Sequence, residues 1–180
     1  MAFQEKTVLK TYFNTDDIPT ESNFVDLVDS IPPISYASIS VESNATTTTF
    51  AGTSADFSSA TQVTIFGTNG AYSDSVPDHT NDHITITTAG TYNITASVSF
   101  SGGASKTYSM AFFKNNGAAQ LGPRTTRKLG TGGDVGAAAV MSGPVSLTAA
   151  DTVELWVQNE TDTTALTVQD ACLTLVAVSA

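Results

Sequence analysis

Residues Tyr92–Phe100 carry the pattern that most restricts how this chain can fold. In YNITASVSF every second residue is apolar, and each residue between is small and polar. Alternate side chains of a β-strand point to opposite faces, so the segment predicts a strand with one dry face and one wet or contact face. Such a strand suits a rigid β module held on a separate attachment segment.

Further strands are predicted over most of the remaining chain. Turn signals such as Asn115-Asn116-Gly117 and Ala149-Ala150-Asp151 separate them. Short strands at regular spacing indicate a mainly β fold, a jelly-roll sandwich of roughly eight to ten antiparallel strands. The predicted strands are Thr46–Phe50, Gln62–Phe66, Ile84–Thr88, Tyr92–Phe100, Tyr108–Lys114, Val135–Leu147 with a break at Gly143-Pro144, Val153–Gln158, Ala165–Val168 and Cys172–Val178.

The first 33 residues predict a short helical leader. Thr20 is the expected N-cap, and Glu21 places an acidic side chain in the first turn. Pro32-Pro33 end the helix, because proline cannot continue its hydrogen-bond ladder. One apolar stripe at positions i, i+3, i+4 and i+7 follows the helix, formed by Phe24, Leu27, Val28 and Ile31.

A helix of about three turns is marginal in isolation and needs a partner. That partner is its own β domain, sister copies of the chain or another protein. Residues 34–60 are rich in Ser, Thr, Ala and Asn and predict a linker that runs into a first weak strand. We therefore expect a leader (1–33), a linker with the first strand (34–60) and a β knob (61–180).

Charge and hydropathy restrict the partners. The formal net charge is −10 with seven Lys and Arg, which speaks against nucleic acid. No stretch approaches the ~20 apolar residues of a membrane span, so no membrane insertion is expected. The start of the sequence lacks a secretory signal, which predicts folding in a reducing cytoplasm.

Three of the cations lie together, Arg124, Arg127 and Lys128 in GPRTTRK. The run favours a solvated loop or a salt bridge between subunits, and an acidic neighbour or an anionic glycan is the alternative.

The last predicted strand indicates contact between copies of the chain. Along Cys172–Val178, Leu173, Leu175 and Ala177 share one face, and Cys172, Val176 and Val178 share the other. One face can enter the sandwich, and the second needs a cover because large apolar patches are uncommon on monomers. A homo-oligomer is the economical cover. Cys172 is the single cysteine and reads as a buried, inert thiol.

No catalytic residue, metal site or cofactor is predicted. The segment Asp78–His83 holds two His and two Asp, which are acceptable metal ligands but read equally well as a polar loop. Both His lie there, and no Gly-x-Ser-x-Gly elbow is present, so no nucleophile–base pair can be assembled. Trp156 and Tyr108 could stack on sugars, but core or interface packing is favoured for each.

The stretch from Ile84 to Ala180 resembles the tumour-necrosis-factor and complement-head jelly rolls. The resemblance rests on ITTAGTYNI at 86–94, on FKNNG at 113–117 and on VSLTAADTVEL at 145–155, where Ala150 replaces the usual Gly. It implies a trimer built through one sheet that contains the Tyr92 strand, the Val153 strand and the last strand. The expected trimer-interface residues are Tyr92, Trp156, Cys172, Val176 and Val178.

The leader carries a second resemblance. Its segment LKTYFNTDDIPTESNFVDLVDS, residues 9–30, is similar to the sequence that opens many tailed-bacteriophage fibre and virion-decoration proteins, although Asp16 stands where they usually have Gly. The resemblance implies attachment or trimerisation through Tyr12, Phe13, Phe24, Leu27 and Val28.

Together the resemblances imply a non-catalytic structural protein of a bacteriophage virion. It would be a homotrimeric head fibre, a decoration protein or a short tail-fibre knob. Its expected partners are other virion proteins and a host surface glycan or receptor. The alternative is a soluble tumour-necrosis-factor-like or lectin-like binding module outside a virion.

Overall fold

The computed structural model describes residues 10–11, 18–29, 34–49, 57–132 and 134–179. The chain divides into two compact units, Met1–Ile34 and Ser35–Ala180. The first contains helix α1 (Glu21–Asp29). The strands of the second are β1 (Tyr36–Val41), β2 (Thr47–Thr48), β3 (Thr61–Gln62), β4 (Thr68–Asn69), β5 (Ser75–Asp78), β6 (His83–Ile86), β7 (Gly90–Gly102), β8 (Thr107–Lys114), β9 (Ala119–Lys128), β10 (Gly136–Leu147), β11 (Thr152–Asn159) and β12 (Leu166–Ser179).

Helix α1 begins with a reciprocal cap. The Thr20 hydroxyl accepts the backbone N–H of Asn23 at 3.4 Å, and the Asn23 side-chain oxygen accepts the backbone N–H of Thr20 at 2.8 Å. The two bonds satisfy donors that a helix start leaves unpaired, as in a capping box. The predicted N-cap is confirmed, whereas Tyr12, Phe13, Ile31 and Pro32-Pro33 lie outside the described residues.

The second unit is a sandwich of two antiparallel sheets. Sheet A has the strand order β10-β7-β12-β1-β4, with β2 also paired to β12. Sheet B has the order β5-β6-β11-β8-β9, with β3 also paired to β11. The predicted mainly β sandwich is confirmed.

The alternation along β7 builds the core as expected. Tyr92, Ile94, Val98 and Phe100 are buried, and the small polar residues between them point away from the core. The Tyr92 hydroxyl donates a 2.6 Å hydrogen bond to the carbonyl of Thr88, so this buried phenol is satisfied.

Two predicted strand breaks are bulges inside long strands. In β10 the register to β7 shifts between Met141 and Pro144, where Gly143 has a φ of +68°. In β12 it shifts between Val168 and Asp170, so the two strands predicted there form one. A bulge bends a strand without ending its pairing.

Four strands were not predicted, and one of them is the two-residue strand β4. Residues 36–41, interpreted as linker, form β1, which pairs with β12 and buries Ala37 and Ile39. The basic run, interpreted as a loop, lies in β9 at the edge of sheet B. Strand β5 contains Pro77, and proline is tolerated there because β5 is also an edge strand.

Strand β9 approaches β10 of sheet A at one side of the sandwich. The Thr125 hydroxyl donates to the carbonyl of Ala139 at 3.1 Å. Gly122, with φ +74°, lies against the Ser142 backbone, where a Cβ atom would not fit. These contacts hold β9 and β10 side by side.

Asp151 ties together the turns at one end of the sandwich. Its carboxylate accepts hydrogen bonds from the Thr148 backbone at 2.9 Å, from Asn115 at 2.7 Å and from Lys114 at 3.1 Å. Burial alone would raise the pKa of Asp151, but these bonds outweigh it and hold the pKa well below its usual range. The ionised carboxylate therefore stabilises the folded state.

We expect Asp151→Ala to lower the free energy of unfolding by about 1–3 kcal/mol at pH 7, because it leaves buried donors unpaired. The lowered pKa means that the contribution of Asp151 is complete above about pH 4 and shrinks as pH falls further. Thermal unfolding followed by circular dichroism measures both effects. Asp134→Ala, at an exposed position, is the control. Equal unfolding free energies for the two variants at pH 7 would contradict this role.

Candidate subunit interface

The outer face of sheet A is built from rows of side chains that the antiparallel register aligns. One row contains Met141, Thr95, Thr174 and Ser38, taken from β10, β7, β12 and β1. Each pair of partners lies directly opposite across the strands, so their side chains share a face. The rows make a broad surface on which most side chains are short.

The flanking rows have the same character. Pro144, Asn93, Val176 and Tyr36 form the row on one side, and Ala139, Ser97, Cys172 and Ser40 form the row on the other. None of the residues in these three rows carries a charge. A surface without charges loses little hydration energy when another protein covers it.

Large apolar side chains are exposed on this face of the single chain. Met141 is 62% exposed, Val176 41% and Val178 52%, and Tyr36 is partly exposed beside them. Leu173 and Leu175 of the same strand are buried on the inner face. The predicted two-sided apolar character of the last strand is therefore present.

A shallow groove of about 430 Å³ crosses the far end of the outer face. Ser97, Ser99 and Ala137 form part of its lining, and Glu42 and Asp170 stand at one side of it. Both acids are exposed.

The five predicted interface residues occupy different places. Cys172, Val176 and Val178 lie on the outer face of sheet A, so their role in an interface stays a prediction. Tyr92 shares their sheet, but its side chain is 1% exposed and points into its own subunit. This corrects its assignment, because a side chain closed inside one subunit cannot contact another.

Trp156 and the Val153 strand lie in the other sheet. Strand β11 belongs to sheet B, which corrects the expectation of one sheet containing the Tyr92, Val153 and last strands. The Trp156 ring packs against Phe113 at 5.4 Å between centroids and against Gly117. Phe57 extends the cluster by stacking on Phe113 at 5.9 Å.

Tyr108 is a core residue. Its hydroxyl accepts the Gly103 N–H at 2.9 Å and donates to the Ala165 carbonyl at 3.2 Å. Its ring is buried, so Tyr108 has no face open to a sugar.

The segment Asp78–His83 forms the turn of the β5–β6 hairpin, and the Asp78 carboxylate accepts hydrogen bonds within that turn. The side-chain amide of Asn81 donates a hydrogen bond to Asp78, and this bond is the main cause that holds the pKa of Asp78 below its usual range. The backbone N–H of Asn81 adds to it. Asp82 accepts the Phe66 N–H at 2.8 Å, and burial raises the pKa of Asp82. Within the described ranges no group of three or more His, Cys, Asp or Glu side chains is placed to hold a metal ion.

The basic run has two environments along β9. Arg124 lies 3.6 Å from the Glu160 carboxylate and over the Phe57 ring, on the outer side of sheet B. Arg127 and Lys128 are exposed.

Helix α1 exposes the predicted stripe. Phe24, Leu27 and Val28 are all exposed, and so is Val25, which the spacing did not include. Phe24, Val25 and Val28 line a shallow concavity of about 310 Å³ together with Glu21. Among the described residues no helix has the length and apolar character needed to cross a membrane.

Sequence reasoning also missed two residues of the outer face of sheet A. Met141 falls within the predicted strand Val135–Leu147 but was not assigned to the interface. Tyr36 lies in β1, which was interpreted as linker. The pairing of Tyr36 with Val176 depends on a contact between distant parts of the chain, which no local pattern reports.

No protein-family model matches this chain, and no curated protein matches it in sequence. Solved structures do match its fold. The structure of Eiger TNF from S. frugiperda aligns with a TM-score of 0.56 at 13% identity, over 82% of this chain and 94% of that one.

Murine APRIL at pH 5.0 aligns with a TM-score of 0.53 at 13% identity, over 81% of this chain and all of that one. The globular domain of zebrafish complement 1qA protein aligns with a TM-score of 0.51 at 10% identity, over 80% and 97%. The β unit of this chain therefore has the jelly-roll fold of tumour-necrosis-factor-like and complement-head domains.

Proposed function

We propose that the chain is a non-catalytic binding module that assembles as a homotrimer through the outer face of sheet A. The carrying observation is that the three central rows of this face hold no charged residue and that the face exposes Met141, Val176 and Val178 on a single copy. Exposed apolar area of this kind marks an interaction site. The jelly-roll resemblance, which implies a trimer built through one sheet, supports the same assembly.

In this proposal the chain attaches to the particle of a tailed bacteriophage, and the leader is the point of attachment. The leader's similarity to the opening segment of phage fibre and decoration proteins supports this role. The exposed Val25, Leu27 and Val28 of α1 give the helix an apolar surface for docking. The protein is then a head fibre, a decoration protein or a short tail-fibre knob, and it resides in the virion.

A knob of this kind can contact the host surface through several weak sites at once. Three linked copies raise the effective concentration of each site near a glycan or receptor, so avidity exceeds the affinity of one copy. No chemical step is part of this function.

The second candidate is a soluble tumour-necrosis-factor-like or lectin-like binding module outside a virion. The likeness to Eiger TNF, murine APRIL and a complement 1qA domain favours it. Antibody labelling of assembled phage particles, viewed by electron microscopy, separates the two candidates. Labelled particles support the virion role, and the protein recovered free of particles supports the soluble module.

We expect Val176→Asp to dissociate the trimer, because it forces an unpaired charge into a dry contact between copies. Sedimentation velocity measures the assembly state, and circular dichroism reports whether the knob stays folded. The matched control is Val76→Asp in β5 of sheet B, where the side chain is 50% exposed. That variant should assemble like the unmodified chain.

If the outer face of sheet A were open to solvent, both variants would behave alike, since surface substitutions usually change stability by less than ~0.5 kcal/mol. A well-behaved Val176→Asp trimer would therefore show that this face is not the interface.

Removal of residues 1–34 should leave a folded β trimer that no longer joins particles, because the leader is a separate unit. Light scattering and circular dichroism test the first part, and labelling of particles assembled with the shortened chain tests the second. The double variant Leu27→Asp, Val28→Asp in the full chain should lose incorporation in the same way. Incorporation that persists in both would show that the leader is not the anchor.

A further inference from the structure

Among the described residues of its own subunit, Arg127 has no ion pair. The ion pairs among the described residues use Lys106, Lys114 and Arg124. Arg127 lies two residues after Thr125, so both side chains leave β9 on the same face. Thr125 reaches the carbonyl of Ala139 on β10, which places Arg127 at the border of sheet A.

Two acids, Glu42 and Asp170, lie opposite each other at the same end of sheet A, on the side away from β9. The register of β1 and β12 pairs Val41 with Ala171, and its continuation sets Glu42 opposite Asp170. Like charges directly opposite across a pair of strands repel each other. The Asp170 carboxylate accepts the Ser43 N–H at 3.0 Å, and no ion pair in the described part of the chain reaches either acid.

Arg127 lies level with Glu42 and Asp170 along the direction of the strands. Antiparallel continuation from Thr125 beside Ala139 sets Arg127 beside Ala137. Ala137 pairs with Ser99, and Ser99 pairs with Asp170. Neighbouring strands of sheet A are ~4.8 Å apart, so about 10 Å separates Ala137 from Asp170 and about 14 Å separates Ala137 from Glu42. Arg127 lies on β9, beyond Ala137 from both acids.

A ring of three copies brings these two sides together. Its contacts are heterologous, so a patch on one copy meets a different patch on the next. If the axis of the ring runs along the strands, rotation about it keeps every residue at the same level. That arrangement lets the β9 side of one copy meet the groove of the next, where Glu42 and Asp170 lie.

We propose that Arg127 of one copy enters this groove on the neighbouring copy and forms an ion pair with its Glu42 and Asp170. The inference rests on the proposed trimer. It adds the direction of each contact, because the β9 edge of one copy docks on the outer face of sheet A of the next. The second copy supplies the opposite charge that neither side pairs with in the described part of its own subunit.

The test exchanges the charges of the two partners. The quantity measured is the concentration at which the trimer dissociates, by sedimentation velocity in buffer with EDTA. Arg127→Glu should weaken assembly at least about tenfold, since like charges then face each other. Glu42→Arg should weaken it less, because Asp170 remains. The double variant Arg127→Glu, Glu42→Arg should recover most of the loss.

Lys128→Glu is the matched control, with the same change of charge at an exposed position on the opposite face of β9. It should assemble like the unmodified chain. Raising salt should weaken the unmodified trimer and leave Arg127→Glu without that loss, because screening removes only the attractive pair.

The outcomes separate the two proposals. An unmodified chain that stays monomeric overturns the trimer and this pair with it. A trimer in which Arg127→Glu matches Lys128→Glu, or in which the double variant is no tighter than Arg127→Glu, overturns the pair and leaves the trimer standing.

Discussion

The structure depends on strand β12, which lies inside sheet A between β7 and β1. Its Leu173 and Leu175 close the core, whereas Val176 and Val178 point outward. Alternate residues of a strand point to opposite faces, so the burial of Leu173 and Leu175 in the core places Val176 on the outer face.

The charge on the remaining surface is consistent with association of copies through a single face. The net charge of −10 keeps copies apart except where charges are absent or opposite. The outer face of sheet A has few charges, and its acids and Arg127 lie at opposite sides. At the other end of the sandwich, Asp151 and its donors fix the turns within the subunit. Stability of the knob and contact between copies are thus handled by different residues.

Local patterns predicted the elements that a local pattern can determine. The alternation at Tyr92–Phe100 revealed β7 because one of its faces is buried and the other is not. Thr20 was found because a cap involves neighbouring residues. The edge strand β9 was missed because most of its residues are exposed, so no burial period marks it. Strand β1 was missed because half of its residues are Ser or Ala, and its pairing with β12 is long-range.

The same limit applies to the candidate interface. Val176 and Val178 were found from the period of one strand. Trp156 was placed on the wrong sheet, because a strand's own pattern shows that one face is buried but does not show which sheet it joins. Arg127 was noticed as part of a basic run, but its position beside Ala137 depends on the packing of β9 against β10. Its lack of an ion pair in the described part of the chain likewise depends on the fold.

Light scattering of the unmodified chain at micromolar concentration tests the central claim most directly. A solution mass three times that of the 18.6 kDa chain is the predicted result. A mass equal to one chain would mean that Met141, Val176 and Val178 remain open to water, which contradicts the account of sheet A as a surface shared between copies.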